Sequence, residues 1–302
     1  MKTDLAIETT GLAKRFKRVV AVDGIDLEVP VGSVYGFLGR NGAGKTTTIQ
    51  MLMGMLQPTA GEMRVLGFDP LREDVAMKRV VGYVPERVQM YDWMTVREIV
   101  WFGANIHPNW DAEAADALIE RFELPLQQKV GALSRGMQGK LALALAMASH
   151  PRLLILDDPT MGLDAVVRRE FIESIVGVLQ ETGTTVFFSS HIIDDVERVA
   201  DWIGIIHEGA LLVQEPLETL KSRVRRAVLT FEDEAPSADG VEGVLAQERS
   251  QRQLVLTVER WSDETRAALE ALGPSSLDVE DCSLEDIFVA YVRKVPGVVG
   301  VG

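Results

Sequence analysis

The sequence predicts an α/β protein. Its core is a largely parallel, covered sheet, with an antiparallel accessory sheet in front, a helical insertion, and a small C-terminal α+β appendage. Three observations predict this. Short apolar runs alternate with helical patterns through most of the chain before Val224. The strand signal disappears between Thr95 and His150, where helical periodicity takes over. From Val224 onward the texture changes again, and fifteen acidic against eight basic side chains supply half of the net charge of -14. Two domains are expected, residues 1–222 (with the insertion at about 95–150) and an acidic unit 223–302.

Taken in order, Leu5 to Thr9, Ile25 to Val29 and Glu62 to Leu66 read as the accessory strands. Val34-Tyr-Gly-Phe-Leu38 is a continuous apolar run of strand length, followed by a glycine-rich turn and a helix over Lys45 to Met53. The insertion contains three helical patterns, Val96 to Ile106, Ala112 to Phe122 and Gly136 to Ser149. A buried strand at Leu153 to Leu156 precedes a helix over Val166 to Gln180, then a strand Thr184 to Ser189, a helix Asp194 to Ala200 and a strand Trp202 to His207. After a helix at Pro216 to Arg223, the appendage offers strands Ala227 to Glu232, Val241 to Glu248 and Gln253 to Glu259, and helices Asp263 to Leu272 and Leu284 to Arg293. Glu232 to Gly240 is a turn or loop by composition, and the tail Pro296 to Gly302 is expected to fray.

Composition narrows the functional classes. Hydrophobic residues at 47% and charged residues at 25% describe a globular protein with a sizeable core. The single cysteine, Cys282, leaves no intrachain disulfide, and Met1 to Thr10 lack a signal-peptide pattern, so a reducing cytosol is expected. The most apolar stretches, Leu141 to Ala148 and Leu153 to Leu156, are far shorter than the ~20 residues of a spanning helix. An excess of acid opposes nonspecific adhesion to nucleic acid, and no nucleic-acid partner is expected.

The strongest chemical signal is Gly39-Arg40-Asn41-Gly42-Ala43-Gly44-Lys45-Thr46, between a strand and a helix. Glycines let backbone N–H groups turn inward around phosphates, while the helix start directs its positive end at them. Lys45 suits the β and γ oxygens, the Thr46 hydroxyl suits Mg²⁺, and Thr47 adds a hydroxyl nearby. A cation held by phosphates also needs a carboxylate, and the apolar strand Leu153 to Leu156 ends in two. Asp157 suits the Mg²⁺ shell, and Asp158 stands where a base would take a proton from attacking water. Leu133-Ser134-Arg135-Gly136-Met137-Gln138 opens a long helix. Ser134 is a natural N-cap, and Gly136 in the first turn leaves room for an anion. The chain already has one phosphate-binding helix start, so a second suggests two half-sites and two chains.

Over roughly Leu5 to Leu220 these segments, in this order, resemble the ATP-binding cassette (ABC) superfamily, specifically the nucleotide-binding subunits of its transporters. Lys45 and Thr46 match the Walker A motif, Asp157 the Walker B motif, and Ser134 and Gly136 the signature motif. Met161-Gly-Leu-Asp164 is similar to the D-loop, His191 to the switch histidine, and Phe16 to the aromatic residue that stacks on adenine. The resemblance implies a P-loop ATPase that binds ATP and Mg²⁺ and forms a head-to-tail homodimer or heterodimer. In it, Ser134, Gly136 and Gln138 of one chain close over the γ-phosphate held by Lys45 of the other. It implies separate integral membrane permease subunits, docked near the loop after Gly82-Tyr-Val-Pro-Glu86, where exposed members of Trp93, Trp101 and Phe102 are available. It also implies a cytoplasmic protein, peripheral on the inner face of the plasma membrane.

Three departures from the family pattern bear on function. Glu86 stands where a glutamine is usual; it remains a water-mediated Mg²⁺ contact but adds an anion near the γ-phosphate. Arg135 and Met137 give the signature a form that resembles the branch exporting drugs, antibiotics, polysaccharides or lipids, and Tyr91 to Glu98 points the same way. Asp158 occupies the place of the usual catalytic glutamate and is one methylene shorter, a loss of reach of about 1.5 Å that matters to a positioning-dependent reaction. The expected function is the ATPase subunit of an exporter. The alternatives are a soluble cassette ATPase without a transporter, and a slowly hydrolysing ATP-sensing module.

Overall fold

A computed structural model describes residues 4–238 and 240–294, the side chains of 178–182 excepted; the expected frayed tail lies outside the described residues. The chain divides into two compact units, residues 1–214 and 215–302.

In the first unit, β1 (Leu5–Phe16), β2 (Val19–Ile25) and β3 (Glu28–Pro30) open the accessory sheet, with β1 in the middle and antiparallel to both neighbours. The chain continues through β4 (Val34–Leu38), α1 (Lys45–Leu52), β5 (Ala60–Val65), α2 (Asp74–Lys78) and β6 (Val81–Val84). Strand β5 also pairs with β1. The insertion consists of α3 (Val96–Ile106), α4 (Ala112–Arg121), a 3₁₀ turn Val130–Ala132 and α5 (Arg135–Met147). Then follow β7 (Leu153–Asp157), α6 (Ala165–Thr182), β8 (Thr185–Ser190), α7 (Ile193–Val199), β9 (Trp202–His207) and β10 (Ala210–Pro216).

The central sheet runs β10-β9-β4-β8-β7-β6, and β9, β4, β8, β7 and β6 are parallel to their neighbours within that run. Strands covered on both faces read as unbroken apolar runs, which is why β4 and β7 are legible from sequence alone. Tyr35 and Phe37 project to one face and pack on Phe187 of β8, at 5.5 and 5.2 Å between ring centroids. On the other face Gly36 leaves the space that Val196 of α7 fills. The insertion helices start at chemically explicit caps. Thr95 and Glu98 form a reciprocal capping box for α3, and Asp111 accepts the Ala114 N–H at the start of α4 (3.0 Å).

The sequence expectations differ from this architecture in four strands. The expected strand Ile25 to Val29 is two, because β2 ends at Ile25 and β3 starts at Glu28. The hairpin strand β2 itself, β6 and β10 carry no clean alternation and were not anticipated; they are defined by pairing with β1, β7 and β9.

The second unit holds α8 (Leu217–Arg223), β11 (Arg225–Thr230), β12 (Val244–Arg249), β13 (Gln253–Val258), α9 (Asp263–Glu270), β14 (Ser276–Asp281) and α10 (Leu284–Lys294). Its sheet runs β12-β13-β11-β14, antiparallel throughout, with Ala227, Leu229, Leu254, Leu256 and Val258 facing Leu269 of α9 in a small core. Strand β14 is a further element the sequence did not announce. The expected division at 222/223 falls at the end of α8, eight residues beyond the division of the compact units. Within the second unit Arg223 hydrogen-bonds Glu215, the Glu259 carbonyl (2.9 Å) and the Tyr291 hydroxyl (2.9 Å), which ties α8 to this unit.

Candidate active site

The register of the parallel sheet places three chain segments level at its carboxyl edge. Leu38 at the end of β4 pairs with Ser190 at the end of β8, and Asp157 at the end of β7 pairs with Ser189. The loop after β4 is Gly39 to Thr46. Gly44 needs its left-handed backbone (φ 112°), and a Cβ there would stand 2.5 Å from the Ala21 carbonyl oxygen. The same hairpin strand and the β9–β10 turn hold the loop from behind, through Gly209 N–H to Ala43 O (2.9 Å) and Asp23 N–H to Gly209 O (2.9 Å).

Inside the loop, Lys45 is buried and its ammonium donates to the carbonyls of Gly39 (2.7 Å) and Arg40 (3.2 Å). Burial pushes it below the ordinary lysine range, against the opposing pull of Asp158, Asp157 and Glu86. The charges of three carboxylates thus act on one cation. Asp157 Oδ1 accepts hydrogen bonds from Thr46 Oγ1 (3.1 Å) and Ser189 Oγ (3.0 Å). Burial holds the Asp157 carboxyl above its usual range despite those two bonds, and the charges of Glu86 and Asp158 add to the rise.

A hydroxyl and a carboxylate oxygen are hard donors of the kind Mg²⁺ takes beside phosphate oxygens. The local excess of negative charge is what such a cation offsets. Thr46 and Asp157 thus fit the metal assigned to them. Glu86 is half-buried and electrostatically coupled to Lys45, Asp157 and Tyr83, whose phenol is pushed up to about 12, mainly by burial.

Asp158 is 4% exposed and sits in the left-handed backbone region (φ 43°). Its N–H donates to the Ser189 carbonyl (3.1 Å) and lies 3.0 Å from the Ser189 hydroxyl. Its Oδ2 is 2.6 Å from Nδ1 of His191, whereas its Oδ1 is buried with no hydrogen-bond partner. A carboxylate accepts, so Nδ1 of His191 carries the shared proton. An orphaned buried carboxylate oxygen is costly, and a water or phosphate-bound hydroxyl donating to it relieves that cost. A cleft of about 570 Å³ adjoins the pair, lined by Arg40, Asn41, Gly42, Ala43, His191, His207 and Glu208.

Apart from Thr47, which follows Thr46, the remaining predicted residues lie on other elements of the unit. Ser134 caps α5, its hydroxyl accepting the Met137 N–H (3.2 Å). Gly136 is buried because Val167 of α6 occupies the space a Cβ would need. Gln138 donates its side-chain N–H to the Val130 carbonyl (3.1 Å), which steadies the turn before α5. Asp164 Oδ1 accepts N–H groups of Val166 (3.0 Å) and Val167 (3.1 Å) and starts α6. Phe16, at the end of β1, is 45% exposed beneath the Lys14 ammonium (5.1 Å to the ring centroid). Thr47 is half-buried in the first turn of α1. Ser189 was missed by sequence reasoning, as were Thr160, Arg168 and Asp195. A serine ending a strand carries no distinguishing signal; only the register shows that it touches both aspartates.

The family model described as ABC transporter matches residues 22–161. The chain is 40% identical over 222 residues to the bacitracin transport ATP-binding protein BcrA of Bacillus licheniformis, covering 73% of this chain and 72% of that protein. It is 34% identical over 308 aligned positions to the daunorubicin/doxorubicin resistance ATP-binding protein DrrA of Streptomyces peucetius, covering 94% and 92%. Among solved structures, cbiO1 of Clostridium perfringens, part of the ABC transporter complex cbiONQ, superposes with a TM-score of 0.64 at 26% identity, over 72% of this chain and 91% of that one. The sequence likeness to BcrA and DrrA extends well beyond the glycine loop, and the solved cassette shares the sheet on which that loop is mounted. The chain belongs to the ABC transporter family, and its larger unit is that family's P-loop ATPase cassette.

Proposed function

We propose that this ABC ATPase is the energy-coupling subunit of an exporter, working at the cytoplasmic face of the membrane on separate permease subunits. The observation that carries the reading is the level arrangement of the glycine loop, Asp157–Asp158 and His191 at the ends of three adjacent strands, with Asp158 and His191 2.6 Å apart. Backbone N–H groups of Gly39 to Thr46 and the Lys45 ammonium bind the β- and γ-phosphates. Asp158 orients His191 and accepts a proton from the attacking water at its free Oδ1, while Nε2 of His191 faces the γ-phosphate region. Thr46 and Asp157, with Glu86 as an outer contact, would hold Mg²⁺, which when bound would neutralise phosphate charge. Phe16 stacks on the adenine.

Two protomers complete each pocket: Ser134, Gly136, Gln138 and Asp164 of one cover the phosphates held by Lys45 of its twin. Loss of the shared γ-phosphate releases the pair, and that movement is the work delivered to the permease. The names of two relatives, bacitracin transport and daunorubicin/doxorubicin resistance, support the export branch. Trp93 and Trp101, 67% and 64% exposed, supply the apolar contact to the permease, with Phe102 half-buried edge-on to Tyr91 beside them. Among the described residues no helix is long and apolar enough to cross a membrane.

Steady-state hydrolysis of ATP by the purified chain tests the assignment. Lys45→Ala abolishes turnover. Asp158→Asn lowers kcat by about 100-fold or more, the usual worth of a general base, and in ATP it migrates as a dimer in size-exclusion chromatography with light scattering. Parental rates in Asp158→Asn, or a strictly monomeric protein both alone and with membrane partners, defeat the proposal. The shorter Asp158 and the extra charge of Glu86 favour slow basal turnover, to be measured with and without the permease.

A further inference from the structure

Three side-chain to side-chain contacts join the end of β7 and the residues after it to the end of β8 and the residues after it. The first two belong to the site already described: Ser189 to Asp157, and His191 to Asp158. The third does not. Thr160, two residues beyond Asp158, donates its hydroxyl to Oδ2 of Asp195 (3.0 Å), four residues beyond His191. The other oxygen of Asp195 pairs with Nε of Arg168 on α6 (3.3 Å). Thr160 is 1% exposed and Asp195 6%.

Residues 161–164 separate Thr160 from the start of α6, which Asp164 caps. The two oxygens of one buried carboxylate therefore hold both ends of that loop, Thr160 before it and Arg168 after it. The same carboxylate stands in the first turn of α7, and α7 carries the tight turn in which the Ser190 hydroxyl accepts the Ile192 N–H (3.0 Å) and His191 sits at the tip. Burying a carboxylate is expensive, and a well-packed apolar side chain would hold two helices together at least as well. What an apolar residue cannot do is fix two separate donors at one point in space. On its other flank the loop is met by the insertion, where the Arg135 guanidinium of α5 lies against Gly162.

We propose that Asp195 is a positioning residue for ATP hydrolysis: it clamps the loop Met161–Asp164 to the turn that carries His191, and so sets the His191–Asp158 contact. This rests on the assignment of Asp158 and His191 as the reacting pair. Asp195 acts through its contacts with Thr160 and Arg168. Loop placement thereby reports directly on the reacting pair of the same protomer.

The test uses the full chain. Asp195→Asn and Thr160→Val each lower kcat tenfold or more, while the dissociation constant for ATP changes less than twofold. Thr160→Ser, which restores the hydroxyl, returns at least half of the parental kcat. The double variant Thr160→Val/Asp195→Asn is no slower than the slower single, as expected when both remove the same contact. Folded variants with kcat within twofold of the parent overturn the clamp, as do losses of affinity parallel to kcat or effects that multiply. Failure of Asp195→Asn to fold leaves the threonine series to decide. Should the parent bind ATP without turnover, the reaction assignment has failed. The clamp is then judged by the imidazole proton resonance of His191 Nδ1: a shift in Thr160→Val supports it, and an unchanged resonance overturns it.

Discussion

At the residue scale, the site is organised by burial of charge. Asp157 is held above the ordinary carboxylate range chiefly by desolvation, so its proton competes with any cation. Affinity for Mg²⁺–nucleotide should therefore fall, as pH is lowered, at a higher pH than an exposed aspartate would give. Isothermal titration across that range checks it, and Asp157→Asn should remove the step together with most of the affinity. Cys282 behaves similarly for a different reason. Burial, with the Asp286 charge adding, pushes its thiol up to about 11. The folded thiol keeps a proton that the unfolded chain gives up near 9, so its contribution to stability is lost as pH rises from the unfolded value through the folded one. Alkylation at about pH 8.5 should label Cys282 only after denaturation, read by mass spectrometry. Lys45, Thr46, Asp157 and Asp158 were candidates in the sequence because their motifs suit phosphate chemistry, and His191 through the family resemblance; the structure brings Thr46 to Asp157 and His191 to Asp158. Ser189 and Asp195 were not candidates, since a serine and an aspartate at element ends look like ordinary strand and helix punctuation.

At the element scale, helices declared themselves through their caps and strands through their burial. Thr95, Asp111, Ser134 and Ser262 all accept an N–H from the first turn that follows them, and the expected helix starts lie within a residue of the observed ones. Ser134→Ala should cost about 1 kcal/mol of stability. Gly136→Ala should cost ~1–3 kcal/mol, since its new methyl meets the Val167 side chain, and Val167→Ala should recover most of it. Chemical denaturation of the four proteins tests the pair. The strands that escaped notice are short or two-sidedly mixed. Val81–Val84 contains a glycine, and Ser276–Asp281 alternates apolar with acidic residues while remaining largely exposed. Such segments become strands because β7 and β11 offer them hydrogen bonds, information that lies in the partner rather than in the segment.

At the scale of the whole molecule, two units with separate cores are joined near Gln214. The composition change at Val224 pointed to the appendage but not to its edge, because the cluster of Glu215, Arg223, Glu259 and Tyr291 that claims α8 is a matter of contacts between distant positions. A fragment of residues 1–214 should bind ATP as tightly as the full chain, measured by fluorescent-nucleotide titration, because every residue assigned to the phosphates lies within it. The central sheet has one further consequence. Neighbouring strands sit about 4.8 Å apart whatever the chain does between them, so the ladder joining β4, β8 and β7 works as a fixed ruler under the reacting groups. Segments between the rungs are free to lengthen, shorten or be exchanged without altering the scale. A cassette could thus be refitted for a new permease by rebuilding its insertion alone, with the machinery at the sheet edge left in calibration.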